Sequence, residues 1–338
     1  MGLRSYTASY FMWHLLKHQS EEGFSMVKAV VDAVDIDPKT GTTLGYYTFG
    51  EERPNVFILA AMTGRSATDV YASYLIMKHL EGLERIEGSV TFLPVANPLA
   101  FRLRAKISPL DSKDLDTVFP GNEYGTVTER TAWEIWRKAS NADYIIELRT
   151  GWQNCTSHIV AMHRDYIHVR NLASQIGLPY VIQSAGTRGT LTIEAAHEGI
   201  PSISVEMRGD TDQVDSQAAV EVREAILNLF RTKDMIAGNK IEASNTLLGR
   251  LQHVNVETEG FFVPAVNLGE TVERRDIIGH VQDKNEIASP YDGAVISLSR
   301  INYVFEGDMI ARIAAPLSDQ WASKSGDQKE STPARRKW

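Results

Sequence analysis

The sequence predicts an α/β protein: a mixed, largely parallel central sheet flanked by helices, followed by a small C-terminal all-β domain. Three observations predict it. Short runs that are apolar throughout alternate with longer stretches of helical period from residue 55 to 232, the pattern of buried parallel strands covered on both faces. Beyond about residue 250 the texture changes to short β-prone runs broken by "LGE", "YDG" and "EGD". The length of 338 residues, with 43% hydrophobic and 23% charged, fits two globular units better than one.

Taken in order, "NVFILAAM" reads as a buried strand, "ATDVYASYLIMKHLEGL" as an amphipathic helix and "GSVTFLPVA" as a second strand. "TERTAWEIWRKASNA" is helical and "DYIIELRT" a strand. "YIHVRNLASQIG" is helical, "IPSISVEM" a central strand, and "DSQAAVEVREAILNLFRT" closes the unit as a helix. The expected division is an N-terminal segment 1–50, an α/β domain 51–245, a β domain 246–316 and a disordered polar tail 317–338. In "YFMWHLL" the aromatic period fits a docking helix or core packing equally well. In open parallel sheets chemistry sits at the carboxyl ends of strands, which directs attention to the loops after Met62, Ala96, Arg149 and Glu206.

Composition narrows the function. No run of about 18 uncharged apolar residues is present to span a membrane, and no apolar signal core precedes a cleavage site, so a cytoplasmic protein without a membrane partner is expected. A formal charge of −8 argues against a nucleic-acid partner. Cys155 is the single cysteine, which excludes an intrachain disulfide and reads as a buried inert thiol. No G-x-G-x-x-G, P-loop or G-x-S-x-G elbow occurs.

The ordered motifs "NP", "SPLD", "VFPG", "GTVTE", "RTG", "GTL" and "EGIPSISVE", spread over residues 50–315, resemble the aspartoacylase and succinylglutamate desuccinylase family, with the nearest likeness to N-acetyl-diaminobutyrate deacetylase-type members. The resemblance implies a zinc carboxypeptidase-like fold and a zinc amidohydrolase. "GFFVPAVNLGETVERRDIIGHV" is similar to that family's C-terminal domain. In the family, a His and a Glu of an H-G-x-E loop and the His of a D-L-H-T/S-G segment bind zinc. Here those places hold Thr63, Ser66 and Arg149. Hydroxyls are poor zinc ligands and a guanidinium repels a cation, so zinc, the family's cofactor, is expected to be absent.

The resemblance also implies a substrate-gripping Asn–Arg pair, replaced here by Asp116 and Thr117, and a further arginine, replaced by Lys106; Arg102 and Arg104 lie close by in sequence, and Arg65 of the earlier loop adds to the cationic side of the cavity. Glu206 stands where the family keeps its general base; it either pairs with Arg149, at a former metal position, or caps a loop or pairs with Arg208. These cationic and anionic residues together suit an amino-acid-like zwitterion.

Other constellations read as structural. His158, His163, His168 and His197 are too scattered for one compact site, and Asp111, Asp114 and Asp116 read as turn chemistry. Lys284 sits near the tip of a hairpin that looks like the lipoyl and biotinyl hammerhead, and reads as an ordinary surface lysine. The expected function is therefore a degenerate family member: a non-catalytic subunit or regulator, pairing with an active paralogue or forming a homo-oligomer, or binding a small amino-acid-like ligand. The alternative is an active hydrolase of an N-acyl amino acid amide or ester that uses Glu206 as general base in a rearranged site.

Overall fold

A computed structural model describes residues 27–65, 67–210, 213–242, 244–282 and 285–317. The sequence expectations for Ser66, for Lys284, for "YFMWHLL" and for the tail from residue 318 lie outside the described residues.

Among the described residues, nine strands form the main sheet. They are β1 (Val30–Asp37), β2 (Thr42–Gly50), β3 (Asn55–Leu59), β4 (Ser89–Leu93), β5 (Tyr144–Thr150), β6 (His158–Ala161), β7 (Tyr180–Gln183), β8 (Ser202–Met207) and β9 (Thr246–Leu248). Their spatial order is β1-β2-β4-β3-β5-β8-β6-β7-β9. The centre, β4-β3-β5-β8, is parallel, while β1, β2 and the β6–β8 pair run antiparallel. The mixed, largely parallel sheet expected from the apolar runs is present. Residues 30–50, which carry no uninterrupted apolar run, nevertheless extend its edge.

The helices are α1 (Thr68–Glu81), α2 (Pro98–Leu103), α3 (Val127–Ala139), α4 (Ile167–Ala173), α5 (Leu191–His197) and α6 (Ser216–Thr232). Their starts follow from side-chain caps: Asn97 accepts from Ala100 N, Glu129 Oε2 from Thr126 N, and Asp215 from Ala218 N, each satisfying an otherwise unpaired helical amide. One face of the sheet packs on α1, α4 and α6 through Ile76, Met77, Leu172, Ile226 and Phe230. The other packs on α3 and α5 through Ala132, Ile135, Leu191 and Ala195. Each buried aliphatic side chain contributes on the order of 2 kcal/mol.

The C-terminal unit is all-β, as its turn spacing predicts. It comprises β10 (Gln252–Asn255), β11 (Gly260–Pro264), β12 (Thr271–Val272), β13 (Ile277–Val281), β14 (Asn285–Ala288), β15 (Gly293–Leu298), β16 (Asn302–Val304) and β17 (Met309–Ala314). Two four-stranded antiparallel sheets, β10-β17-β15-β12 and β14-β13-β11-β16, close over Val254, Phe262, Ile278, Val295 and Ile310. The predicted "LGE" and "EGD" turns place Gly269 at φ +80° and Gly307 at φ +87°, where a side chain is disfavoured.

This unit is stitched to the loop after β5. Thr156 N donates to Ile296 O at 3.0 Å, Leu298 N to Asn154 O at 3.1 Å, and Asn154 Nδ2 to Leu298 O at 2.9 Å. The loop leading from β5 to β6 is thereby held against β15 beside the strand ends.

Candidate functional site

The site lies where β3, β5 and β8 end. After β3, Ala60, Ala61 and Met62 are buried, and Ala61 takes a left-handed φ of 51°, uncommon without glycine. Asp69 Oδ2 accepts from Ala61 N at 3.3 Å. Gly64 N donates to Ala105 O at 2.7 Å, and a Cβ on Gly64 would stand 1.9 Å from Ala100 O. The loop carrying Thr63 is thus pressed against the segment after α2, and Thr63 Oγ1 accepts from Arg65 N at 3.4 Å.

Arg149 ends β5 directly beside Glu206 on β8, yet its guanidinium turns elsewhere. Nη2 donates to Asp116 Oδ2 at 2.6 Å and Nη1 to Glu147 Oε1 at 3.0 Å. The expected Arg149–Glu206 ion pair is therefore not formed. The reason is local: two carboxylates bracket the guanidinium and take both terminal nitrogens. Glu147, two residues earlier on the same strand face, is fully buried and also accepts from Ser204 Oγ at 3.2 Å. Burial pushes its carboxyl up to about 7, with Arg149 pulling the other way.

Asp116 reaches Arg149 from the short 3-10 helix Leu115–Thr117, whose start is capped by Asp114 Oδ1 accepting from Asp116 N at 3.1 Å. That turn sits on the "GTL" loop: Phe119 N donates to Gly189 O at 2.9 Å, and a Cβ on Gly189 would meet Thr117 O at 2.3 Å. The three aspartates of this loop do three separate tasks. Asp111 holds Thr128 N at 2.9 Å and Thr128 Oγ1 at 2.7 Å, Asp114 pairs with Lys106 at 3.4 Å, and Asp116 pairs with Arg149. Lys106, Arg65, Arg102 and Thr117 are exposed.

Glu206 has different company. His158 Nε2 lies 3.5 Å and Arg312 Nη1 3.8 Å from the same oxygen, Oε2. Arg312 comes from β17 of the C-terminal unit, donates from Nε to Ser297 Oγ at 2.9 Å, and lies 5.3 Å over the Trp152 ring. Burial opposes ionisation of Glu206, but His158, Arg312 and Arg149 together hold its carboxyl below the usual range. Burial lowers His158, against the pull of Glu206. The Cys155 thiol, buried and near Glu206, is pushed up to about 12. His163 bonds Leu248 O at 3.0 Å, His197 bonds Tyr166 at 2.6 Å and His168 packs on the same Tyr166 ring at 5.3 Å, so the four histidines do not converge on one site.

Sequence reasoning did not include Glu147 or Arg312 in the site. Glu147 carried a signal, its i, i+2 spacing from Arg149 on a strand. Arg312 carried none, because only the docking of the C-terminal unit brings it to β8.

The comparisons with known proteins agree with this architecture. Residues 52–232 match the model of the succinylglutamate desuccinylase/aspartoacylase catalytic domain. The chain belongs to that family. It is 23% identical over 279 residues, 75% of the chain and 81% of the relative, to an N-alpha-acetyl-L-2,4-diaminobutyric acid deacetylase of Halomonas elongata. Among solved structures it is similar to the product-bound ectoine utilization protein EutE of Ruegeria pomeroyi, with TM-score 0.70, 16% identity, and 87% and 100% of the two chains covered. A succinylglutamate desuccinylase/aspartoacylase of Rhodobacter sphaeroides gives TM-score 0.69, 19% identity, and 88% and 99% coverage. The β-rich C-terminal unit and the mixed sheet are thus the architecture of these zinc carboxypeptidase-like neighbours.

Proposed function

We propose that this family member retains the deacylase scaffold without its zinc chemistry, and serves as a non-catalytic subunit or regulator that binds a small amino-acid-like ligand. An active paralogue or a second copy of the chain is the proposed partner, and the cytoplasm the proposed setting. The observation that carries the reading is the pairing of Arg149 with Asp116 and Glu147. A permanent cation stands at the family's third ligand position, saturated by two carboxylates, and Thr63 Oγ1 is turned into its own loop. That donor set does not fit zinc, which takes nitrogen, thiolate and carboxylate ligands.

The hydrolase alternative asks Glu206 to accept a proton near neutral pH. A carboxylate held below its usual range by His158, Arg312 and Arg149 is a weak base for that work. The ligand class follows from the mixed charges around β5 and β8 and from the relative named for N-alpha-acetyl-L-2,4-diaminobutyric acid. L-2,4-diaminobutyric acid is therefore the first ligand to try.

The test is elemental analysis of the dialysed protein together with an assay on N-acetylated diamino acids. Substoichiometric zinc and no turnover are expected. Near-stoichiometric zinc, or turnover abolished by Glu206→Gln, would sink the reading.

A further inference from the structure

We propose that Arg312, His158 and Glu206 form the recognition site for the charged head of an amino acid, with the carboxylate on Arg312 and the ammonium between Glu206 and His158. The proposal rests on the reading above that the chain binds an amino-acid-like ligand, and it supplies the residues.

Among the described residues, two buried groups around Glu206 lack hydrogen-bond partners. His158 is fully buried, and its Nδ1 lies 2.9 Å from Thr156 O. A carbonyl only accepts, so Nδ1 carries the hydrogen, and burial, which lowers the ring's pKa, leaves Nε2 with its lone pair toward Glu206. That Nε2 has no hydrogen-bond partner and stands 3.5 Å from Glu206 Oε2, acceptor facing acceptor. Arg312 Nη2 is likewise buried without a partner, while Nη1 stays 3.8 Å from Oε2, beyond hydrogen-bond reach. The contrast with Arg149, whose Nη1 and Nη2 both donate to carboxylates, identifies Arg312 as the guanidinium with capacity left.

Buried groups left unpaired are costly, and a ligand that pairs them recovers that cost. The complement of two acceptors and a cationic donor is a donor-rich cation joined to an anion. An ammonium donates to Glu206 Oε2 and His158 Nε2, and a carboxylate accepts from Arg312, whose planar fork suits it. Ser297 and Trp152 fix the guanidinium in place. Glu206 keeps 21% of its side chain exposed, so its carboxylate is within reach of solvent. A Cβ added at Gly151 would stand 3.4 Å from Oε2 and 3.7 Å from Cys155 Sγ. Because the Trp152 ring lies 5.3 Å from the guanidinium, its fluorescence reports binding there.

The experiment titrates the full chain with L-2,4-diaminobutyric acid, and in parallel with 1,3-diaminopropane, which lacks the carboxylate. Heat and tryptophan fluorescence are followed. The amino acid is expected to bind about 10–100-fold more tightly than the diamine, and Arg312→Met to lose a similar factor. Gly151→Ala, which keeps every charge, is expected to weaken binding several-fold and decides the matter if Arg312→Met does not fold. Arg300→Met, an exposed change on the same unit, should bind as the parent does. No binding of the amino acid, or binding indifferent to Arg312→Met and Gly151→Ala, overturns the site. Zinc content measured on the same preparation separates the two failures. A metal-free protein that binds the amino acid equally well with Arg312→Met and Gly151→Ala sinks this site alone. One that ignores the amino acid also sinks the ligand part of the reading above, and stoichiometric zinc sinks the non-catalytic part and leaves the binding result standing.

Discussion

Arg149 Nη2 and Asp116 Oδ2 lie 2.6 Å apart, an ion pair that joins the end of β5 to the 3-10 turn Leu115–Thr117. With Glu147 on its other nitrogen, Arg149 is the centre of a carboxylate–guanidinium–carboxylate chain. Loss of the centre is worse than loss of an end, because the buried Glu147 and the half-buried Asp116 then both lose their shared cation.

Arg149→Met should destabilise the protein by about 3 kcal/mol. Adding Glu147→Gln should recover much of that loss, because one of the two stranded charges is gone. Urea denaturation of the single and double variants measures both effects.

Glu147 makes stability fall as pH rises. Its carboxyl is raised from 4.5 to about 7 by burial, so the unfolded chain releases its proton first. The contribution is complete below about pH 4.5 and is lost as pH passes through about 7, amounting to at most ~3 kcal/mol. Glu147→Gln should flatten the stability profile between pH 5 and 8. A variant profile as steep as the parent's would assign the slope to other groups.

Gly64→Ala should cost at least ~2 kcal/mol, since the added carbon would stand 1.9 Å from Ala100 O and 2.5 Å from Ala105 O. Backbone cannot yield there as a side chain would. Thermal unfolding reports the loss, and faster amide exchange at Gly64, whose hydrogen bond to Ala105 O is 2.7 Å, reports the freed loop.

Cys155 should resist thiol reagents at pH 8 in the folded protein and react promptly in denaturant. It is fully buried, and burial together with Glu206 pushes its thiol up to about 12, so almost no thiolate exists to attack. Rapid labelling of the folded chain would show that the loop between β5 and β6 opens.

Much of the fold was legible because its rules are local. The apolar run 55–62 ended in β3, the period of 67–83 became α1, and the glycine turns near 269 and 307 delimited the C-terminal strands. β6 and β7 were less legible: four residues each, they are strands only because β8 and β9 flank them.

The sequence by itself determined the family scaffold and which residue types stand at the strand ends: Thr63, Arg149 and Glu206, with Asp116 in the loop between. Tertiary structure alone decided how they pair. Arg149 and Glu206 are neighbours in register, yet the guanidinium goes to Asp116 and Glu147, and Glu206 faces His158 and an arginine more than a hundred positions further along the chain. The physical reason is that burial and composition are written in local pattern, whereas the partner of a charge is whichever opposite charge the packing of distant segments brings within a few ångströms.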